Sequence, residues 1–238
     1  MEKIDLIIPV HNEEANIEFI VQELLDTNVY QKLHSIIFVN DGSNDQTLKI
    51  LNQLKKINTK IIVITHQGKI GQSAAFYSGI KFSTSKIIIT MDGDGQILTK
   101  DIIKILEFFY ENDFDLVSGV RKKRADNQIK KISSKMAFFI RKLLLNDDAK
   151  DTGCSLKVFY RQKYLNLPYF DHMHRFIPVL FKREQYKVGF FDVSHRKRLG
   201  GKSKYGFFDR LLEGFFDILG VIWLMRRKKN TKIIIEDE

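Results

Sequence analysis

Along residues 1–120, short continuous apolar runs alternate with stretches where apolar side chains return every third or fourth position. The run Ile4-Asp5-Leu6-Ile7-Ile8-Pro9-Val10 is short, rich in β-branched residues and closed by a proline, which predicts a buried strand. Ile17, Ile20, Val21, Leu24 and Leu25 follow at helical spacing after Asn12-Glu13-Glu14. Further strands are predicted at residues 36–39, 61–64, 87–89 and 116–118, with helices between them. The helix after the second strand carries Leu48, Leu51 and Leu54, and Ser43-Asn44-Asp45-Gln46 has the spacing of a capping box at its start. Later helices carry Ala74, Ala75 and Tyr77, then Ile102, Ile103, Leu106 and Phe109.

Strands alternating with helices need crossover connections, so the pattern predicts an α/β fold: a mostly parallel, Rossmann-like sheet with helices on both faces. Ligands of such sheets sit beyond the carboxyl ends of the strands. The polar clusters at residues 11–13, 40–43 and 92–96 all fall there.

After residue 120 the pattern changes. Arg121-Lys122-Lys123-Arg124 opens a basic stretch, and residues 130–145 read as a basic amphipathic helix with Ile132, Met136, Phe139, Ile140, Leu143 and Leu144 on its apolar side. Residues 205–225 repeat the habit, with Asp209, Glu213, Asp217 and Gly220 as a narrow polar stripe and Arg226-Arg227-Lys228-Lys229 beyond. Such helices commonly face a core. Phe207, Phe208, Phe215, Phe216 and Trp223 beside the basic quartet also match a helix lying in a membrane interface. No uncharged apolar run reaches about 18 residues; the nearest, 211–225, is interrupted by Glu213 and Asp217.

Composition narrows the partners. A chain of 238 residues can bury one substantial core, or one domain with an appendage. Its 39 Lys and Arg against 29 Asp and Glu give +10, which calls for a polyanionic partner or an anionic surface. The single Cys154 excludes an intrachain disulfide and fits a reducing compartment. Met1-Glu2-Lys3-Ile4-Asp5 does not open like a signal peptide.

The sharpest chemical signal is Asp92-Gly93-Asp94 at the end of the fourth strand. Two carboxylates one residue apart can turn toward one hard divalent cation, and Gln96 adds a neutral carbonyl oxygen. Asp41-Gly42-Ser43 reads either as a tight turn with a helix cap or as a site for a nucleobase or ribose. Glu13 is either a first-turn acid favoured by the helix dipole or a ribose or base contact. His174-Arg175 and His195-Arg196-Lys197-Arg198 read as surface or hydrogen-bonding pairs, since so few histidines rarely ligate metal. Residues 200–205 lack P-loop spacing and suit a basic loop over a phosphate.

The segments "IPVHNEE" (8–14), "VNDGSNDQT" (39–47), "GQSAAFYSG" (71–79) and "MDGDGQ" (91–96) resemble the family 2 glycosyltransferases of the GT-A fold. "DTGCSLKVF" (151–159), "MHRFIPVL" (173–180), "HRKRLGGKSKYG" (195–206) and "VIWLMRR" (221–227) are similar to the dolichol-phosphate mannosyltransferase-like, or polyprenyl-phosphate glycosyltransferase, branch. The chain departs from the usual pattern at Asn40-Asp41, Lys69, Ile97-Leu98-Thr99 and Phe138.

The resemblance implies a GT-A domain at residues 1–205, its nucleotide-sugar half at 1–120 and acceptor half at 121–205, with an amphipathic interfacial helix and basic tail at 206–238. It implies that Pro9, His11, Glu13, Asp41, Ser43, Lys69 and Asp92 bind the nucleotide sugar, and that Asp92, Asp94 and Gln96 hold Mg²⁺ or Mn²⁺. Asp92, Asp94 and Arg121 would carry catalysis. Arg124, Lys135, Arg175, His195, Arg196, Arg198, Ser203 and Lys204 would meet phosphates of donor or acceptor. The implied reaction is inverting transfer from a UDP- or GDP-sugar to a polyprenyl or dolichyl phosphate for cell-envelope glycans. Peripheral attachment at the cytoplasmic face of a membrane is expected, with a homo-oligomer left open.

A phosphate monoester is ionised near neutral pH, so no catalytic base is nominated; for an alcohol acceptor Asp151 would be the candidate. Arg forks match phosphate oxygens bidentately, which suits the basic second half. A nucleotidyltransferase would show a Gly-rich loop in its first strand–helix turn, where this chain has His11-Asn12-Glu13-Glu14. A nucleic-acid binder would show a reader motif beside its basic residues, and none is present, so no nucleic-acid partner is expected. A soluble saccharide acceptor remains the alternative within glycosyl transfer.

Overall fold

The structure, a computed structural model, describes residues 2–122, 142, 145, 148, 149, 151–197 and 207–228, with side chains from residue 214 onward (215 excepted) in the last segment. Seven strands among these residues form one sheet: β1 (Ile4–Val10), β2 (Ser35–Asn40), β3 (Ile61–Thr65), β4 (Ile87–Thr90), β5 (Leu116–Arg121), β6 (Lys157–Tyr160) and β7 (Val188–Val193). The order is β3-β2-β1-β4-β6-β5-β7. The helices are α1 (Ile17–Leu25), α2 (Val29–Lys32), α3 (Thr47–Ile57), α4 (Gln72–Phe82), α5 (Lys100–Glu111), α6 (Arg161–Leu165), the 3₁₀ turn η1 (Met173–Arg175), α7 (Ile177–Arg183) and α8 (Phe207–Arg227).

The expected mostly parallel α/β sheet is present. β1 pairs in parallel with β2 and β4, β2 with β3, and β5 with β7. The exception is β6, which runs antiparallel between β4 and β5. That insertion brings the loop preceding β6 to the rim where β1, β2, β4, β5 and β7 end. Residues 151–156 therefore join the three polar clusters at one edge of the sheet.

The strand period of two divides the core. Leu6, Ile8 and Val10 of β1 pack with Ile17, Ile20 and Leu24 of α1, Leu51 of α3 and Ile102, Ile105 and Phe109 of α5. Ile7 faces the other way, toward Ala75, Phe76 and Ile80 of α4, Tyr164 of α6 and Val179, Leu180 and Phe181 of α7. Gly79 lets α4 lie close: a Cβ there would meet Ile7 Cγ2 at 2.5 Å.

α8 docks on this second face. Val221 is fully buried, with Ile218, Ile222 and Met225 against the same cluster. Asp217, from the expected polar stripe, turns inward to His172 at 3.0 Å. Phe216, Leu219 and Trp223 stand outward, 67%, 47% and 59% exposed, beside exposed Arg226 and Arg227. The outer face of α8 is thus the aromatic and basic one. The predicted helix at 130–145 falls almost wholly outside the described residues.

The capping box predicted at Ser43–Gln46 does not form. Ser43 Oγ accepts from the Asn12 N–H at 3.0 Å, tying the ends of β1 and β2 together, and Asp45 Oδ1 accepts the Thr47 N–H instead. The tertiary contact outcompetes the local one for the Ser43 oxygen.

Candidate functional site

β4 delivers Met91 into the core and then releases Asp92 and Asp94 at the rim. The residue between them must be glycine. A Cβ on Gly93 would meet Val10 Cγ1 at 2.5 Å and Pro9 O at 3.0 Å, because the chain crosses the end of β1 there. Gly95, at φ +69°, turns the chain back. Asp92 is gripped from two sides: its N–H donates to Ser155 Oγ at 2.9 Å, and its Oδ1 accepts from Gln72 Nε2 at 2.6 Å. Burial, then the charge of Asp94, pushes the Asp92 carboxyl up to about 6. Two carboxylates held together at a partly dry rim favour a proton or a cation.

Asp94 Oδ1 accepts the Gln96 N–H, and Gln96 Nε2 donates to Arg196 O. The Gln96 amide is therefore turned toward the bridge between Ile97 and His195, where two segments of the chain run antiparallel. Arg196 differs from the expectation that it meets a phosphate. Its Nε donates to Gly95 O, and its two terminal nitrogens each donate to a Glu23 oxygen at 2.8 Å. The guanidinium also lies over the Phe19 ring, 4.6 Å from its centroid. It braces the turn after Asp94 against α1 and is already committed.

Arg121, at the end of β5, forms a two-pronged pair with Asp151 at 2.6 and 2.7 Å. Burial opposes the charge on Arg121, but the hydrogen bond and charge of Asp151 prevail and hold its pKa up. Both oxygens of Asp151, the general base considered for an alcohol acceptor, are engaged by Arg121. Beneath the rim, buried Lys157 donates to Cys154 O, and Thr90 Oγ1 donates to Ser155 O at 2.6 Å. These contacts fix the 154–155 turn under Asp92.

On the other side, Asp41 is 4% exposed. His66 Nδ1 donates to its Oδ1 at 2.8 Å, the Ile70 N–H to the same oxygen at 2.9 Å, and the Gly71 N–H to Oδ2 at 2.9 Å. Burial disfavours this carboxylate, yet these bonds and the His66 charge together hold its pKa below the ordinary value. Asp41 thereby anchors the loop carrying exposed Lys69. Gly42, at φ +63°, lies so close to that loop that a Cβ would come within 2.5 Å of Lys69 N. His11 donates from Nδ1 to Asp41 O at 2.8 Å. Glu13 accepts from Asn16 Nδ2 at 2.6 Å and is buried, and Pro9 is buried within β1.

Ser73 Oγ meets His174 Nδ1 at 2.7 Å, joining α4 to η1. Burial, then the Arg175 charge, drives the His174 pKa well below its ordinary value, which favours the neutral imidazole. Among the described residues Arg175 makes no side-chain hydrogen bond or ion pair, which leaves its guanidinium available. Arg124, Lys135, Arg198, Ser203 and Lys204 lie outside the described residues. No role for His66, Gln72, Ser73, Ser155 or Lys157 was read from the sequence, although the last four lie within the quoted segments 71–79 and 151–159.

Chains of the same fold are known. The structure superposes on glucosyl-3-phosphoglycerate synthase from Mycobacterium tuberculosis, solved with Mn²⁺, uridine diphosphate and phosphoglyceric acid, with a TM-score of 0.68 at 14% identity, covering 97% of this chain and 80% of that one. Mannosyl-3-phosphoglycerate synthase from Rubrobacter xylanophilus gives 0.73 at 12% identity, covering 95% and 74%. The fold is the GT-A fold of glycosyltransferases.

The chain belongs to glycosyl transferase family 2, whose sequence profile matches residues 5–167. It is 32% identical over 233 residues to the dodecaprenyl-phosphate galacturonate synthase of Rhizobium johnstonii, covering 95% of this chain and 68% of that protein. It is 28% identical over 221 residues to the undecaprenyl-phosphate 4-deoxy-4-formamido-L-arabinose transferase of Pectobacterium carotovorum, covering 92% and 67%. The chain thus spans about two thirds of the length of these relatives. It is a glycosyltransferase.

Proposed function

We propose that this enzyme transfers a sugar from a UDP- or GDP-sugar to a polyprenyl phosphate, with inversion at the anomeric carbon, in the building of cell-envelope glycans. The observation that carries the reading is the Asp92 and Asp94 pair at the rim, set between the Asp41 loop and the Arg121–Asp151 pair. The relatives' names supply the acceptor class, and the acceptor's chemistry fits the site.

The donor set suits Mg²⁺ or Mn²⁺. Among the described residues no group of three or more His, Cys, Asp or Glu side chains could hold a metal. Two carboxylates with the Gln96 oxygen leave positions for diphosphate oxygens and water, as Mg²⁺ prefers. The raised pKa of Asp92 marks a charge deficit that a cation relieves. Bound there, the ion supplies Lewis-acid neutralisation of the leaving diphosphate.

The chain's own residues do the rest. Asp41 shapes the nucleoside pocket through the 66–71 loop, with Pro9, His11, Glu13, Ser43 and Lys69 around it. Arg121, held by Asp151, places a fixed positive charge beside Asp92. Arg175 and His195 are assigned to the acceptor phosphate, and so, from the family resemblance alone, are Arg124, Lys135, Arg198, Ser203 and Lys204, which lie outside the described residues. An ionised phosphate needs no proton removed before attack, which accords with Asp151 being locked to Arg121 and His174 to Ser73. The outer face of α8 rests on the membrane surface that holds the lipid, as a peripheral contact at its cytoplasmic side. No helix among the described residues is long and apolar enough to cross a membrane.

Incubation with Mn²⁺ or Mg²⁺, a panel of UDP- and GDP-sugars, and either polyprenyl phosphate, polyprenol or a soluble oligosaccharide tests the reading. Sugar should appear on polyprenyl phosphate alone. Transfer to the oligosaccharide instead would replace the acceptor assignment.

A further inference from the structure

The start of α4 touches three parts of the site with three successive residues. The Gly71 N–H donates to Asp41, Gln72 Nε2 to Asp92, and Ser73 Oγ pairs with His174. Gly71 sits at φ +124°, a conformation closed to residues with side chains, and it turns the chain from the Asp41 loop into the helix. The anchored loop on one side and the helix on the other set Gln72 in place. Its half-buried side chain then spans to the rim and donates to Asp92 Oδ1 at 2.6 Å.

We infer that Gln72 is a positioning residue: its amide orients the Asp92 carboxylate for a divalent cation and ties that orientation to the loop held by Asp41. The inference rests on the metal site proposed above. Ser155 takes the Asp92 N–H and also bonds the carboxylate from the β6 side, while Gln72 holds Oδ1 from α4, so the carboxylate's rotation is set between the two and Gln72 is the half that comes from the Asp41 loop. A donor bonded to a carboxylate oxygen leaves that oxygen a second lone pair for a metal. Partners of this kind in metal sites typically change affinity by about 10- to 100-fold when removed.

Gln72→Met keeps the length of the side chain and removes the donor; Gln72→Ala removes both. Mn²⁺ binding is titrated without any donor sugar by electron paramagnetic resonance, with Asp94→Asn as the reference and thermal melting to confirm folding. Both Gln72 variants should melt near the parent and bind Mn²⁺ at least about 10-fold more weakly. Turnover should recover when Mn²⁺ is raised, so that the apparent metal constant moves and kcat does not. Mn²⁺ affinity within twofold of the parent in Gln72→Met, while Asp94→Asn has lost binding, overturns the inference and leaves the metal site standing. Unchanged binding in Asp94→Asn as well removes the metal site, and the inference with it.

Discussion

Arg196 holds both carboxylate oxygens of Glu23 at 2.8 Å across 173 residues of chain, and its third N–H reaches Gly95 O. The pair is the strap that keeps the turn after Asp94 pressed on α1. Replacing Arg196 by Met should lower stability by about 2 kcal/mol, the scale of charge-assisted hydrogen bonds at a half-buried site. Urea unfolding measures this directly. An unchanged midpoint would return Arg196 to the role of a phosphate ligand.

Asp41 ties acid stability to the loop over the donor pocket. Its folded-state pKa lies below the unfolded value, so its contribution is complete above about pH 4 and is lost as pH falls through the folded value. Asp41→Asn should melt lower than the parent at pH 7, and the gap should close as pH drops below about 4. A gap that is constant with pH would mean the charge on Asp41 does not matter.

Asp92 carries the opposite shift. With its carboxyl near 6, a proton competes for the metal position just below neutral pH. Mn²⁺ affinity should be level above about pH 7 and weaken about tenfold per unit below 6, the slope for one displaced proton. Titrations at pH 5, 6 and 7 check it. A flat profile would detach Asp92 from the metal.

Trp223 is the single tryptophan of the chain and sits on the outer face of α8. Its emission should shift to the blue on vesicles containing anionic lipid, more weakly at high salt as Arg226 and Arg227 are screened. Truncation before Phe207 should abolish vesicle binding in a flotation assay. Emission indifferent to vesicles would leave α8 as a core-packing helix only.

Strands β1 to β5 were legible because each is a local apolar run, and the first four are each followed by a helix of the right period. β6 and β7 were not. β6 carries buried Lys157 and pairs between two strands remote in sequence, so nothing local announces it. In the site, the acidic pair was legible from spacing and position. The engagement of Arg196 with Glu23, and of Asp41 with His66, was not, because those pairings exist only once distant segments meet. The same reason hid Gln72: a glutamine after a glycine says nothing until Asp92 stands 2.6 Å away. Ser43 shows the reverse, a local capping signal overruled by a partner 31 residues distant.

The cation held by Asp92 and Asp94 is tested most directly by locating it. Crystals soaked with Mn²⁺ and UDP or GDP should give one strong anomalous peak at the manganese edge, about 2 Å from a carboxylate oxygen of each aspartate and from the diphosphate. A peak bound elsewhere, or none with the diphosphate in place, would contradict the account.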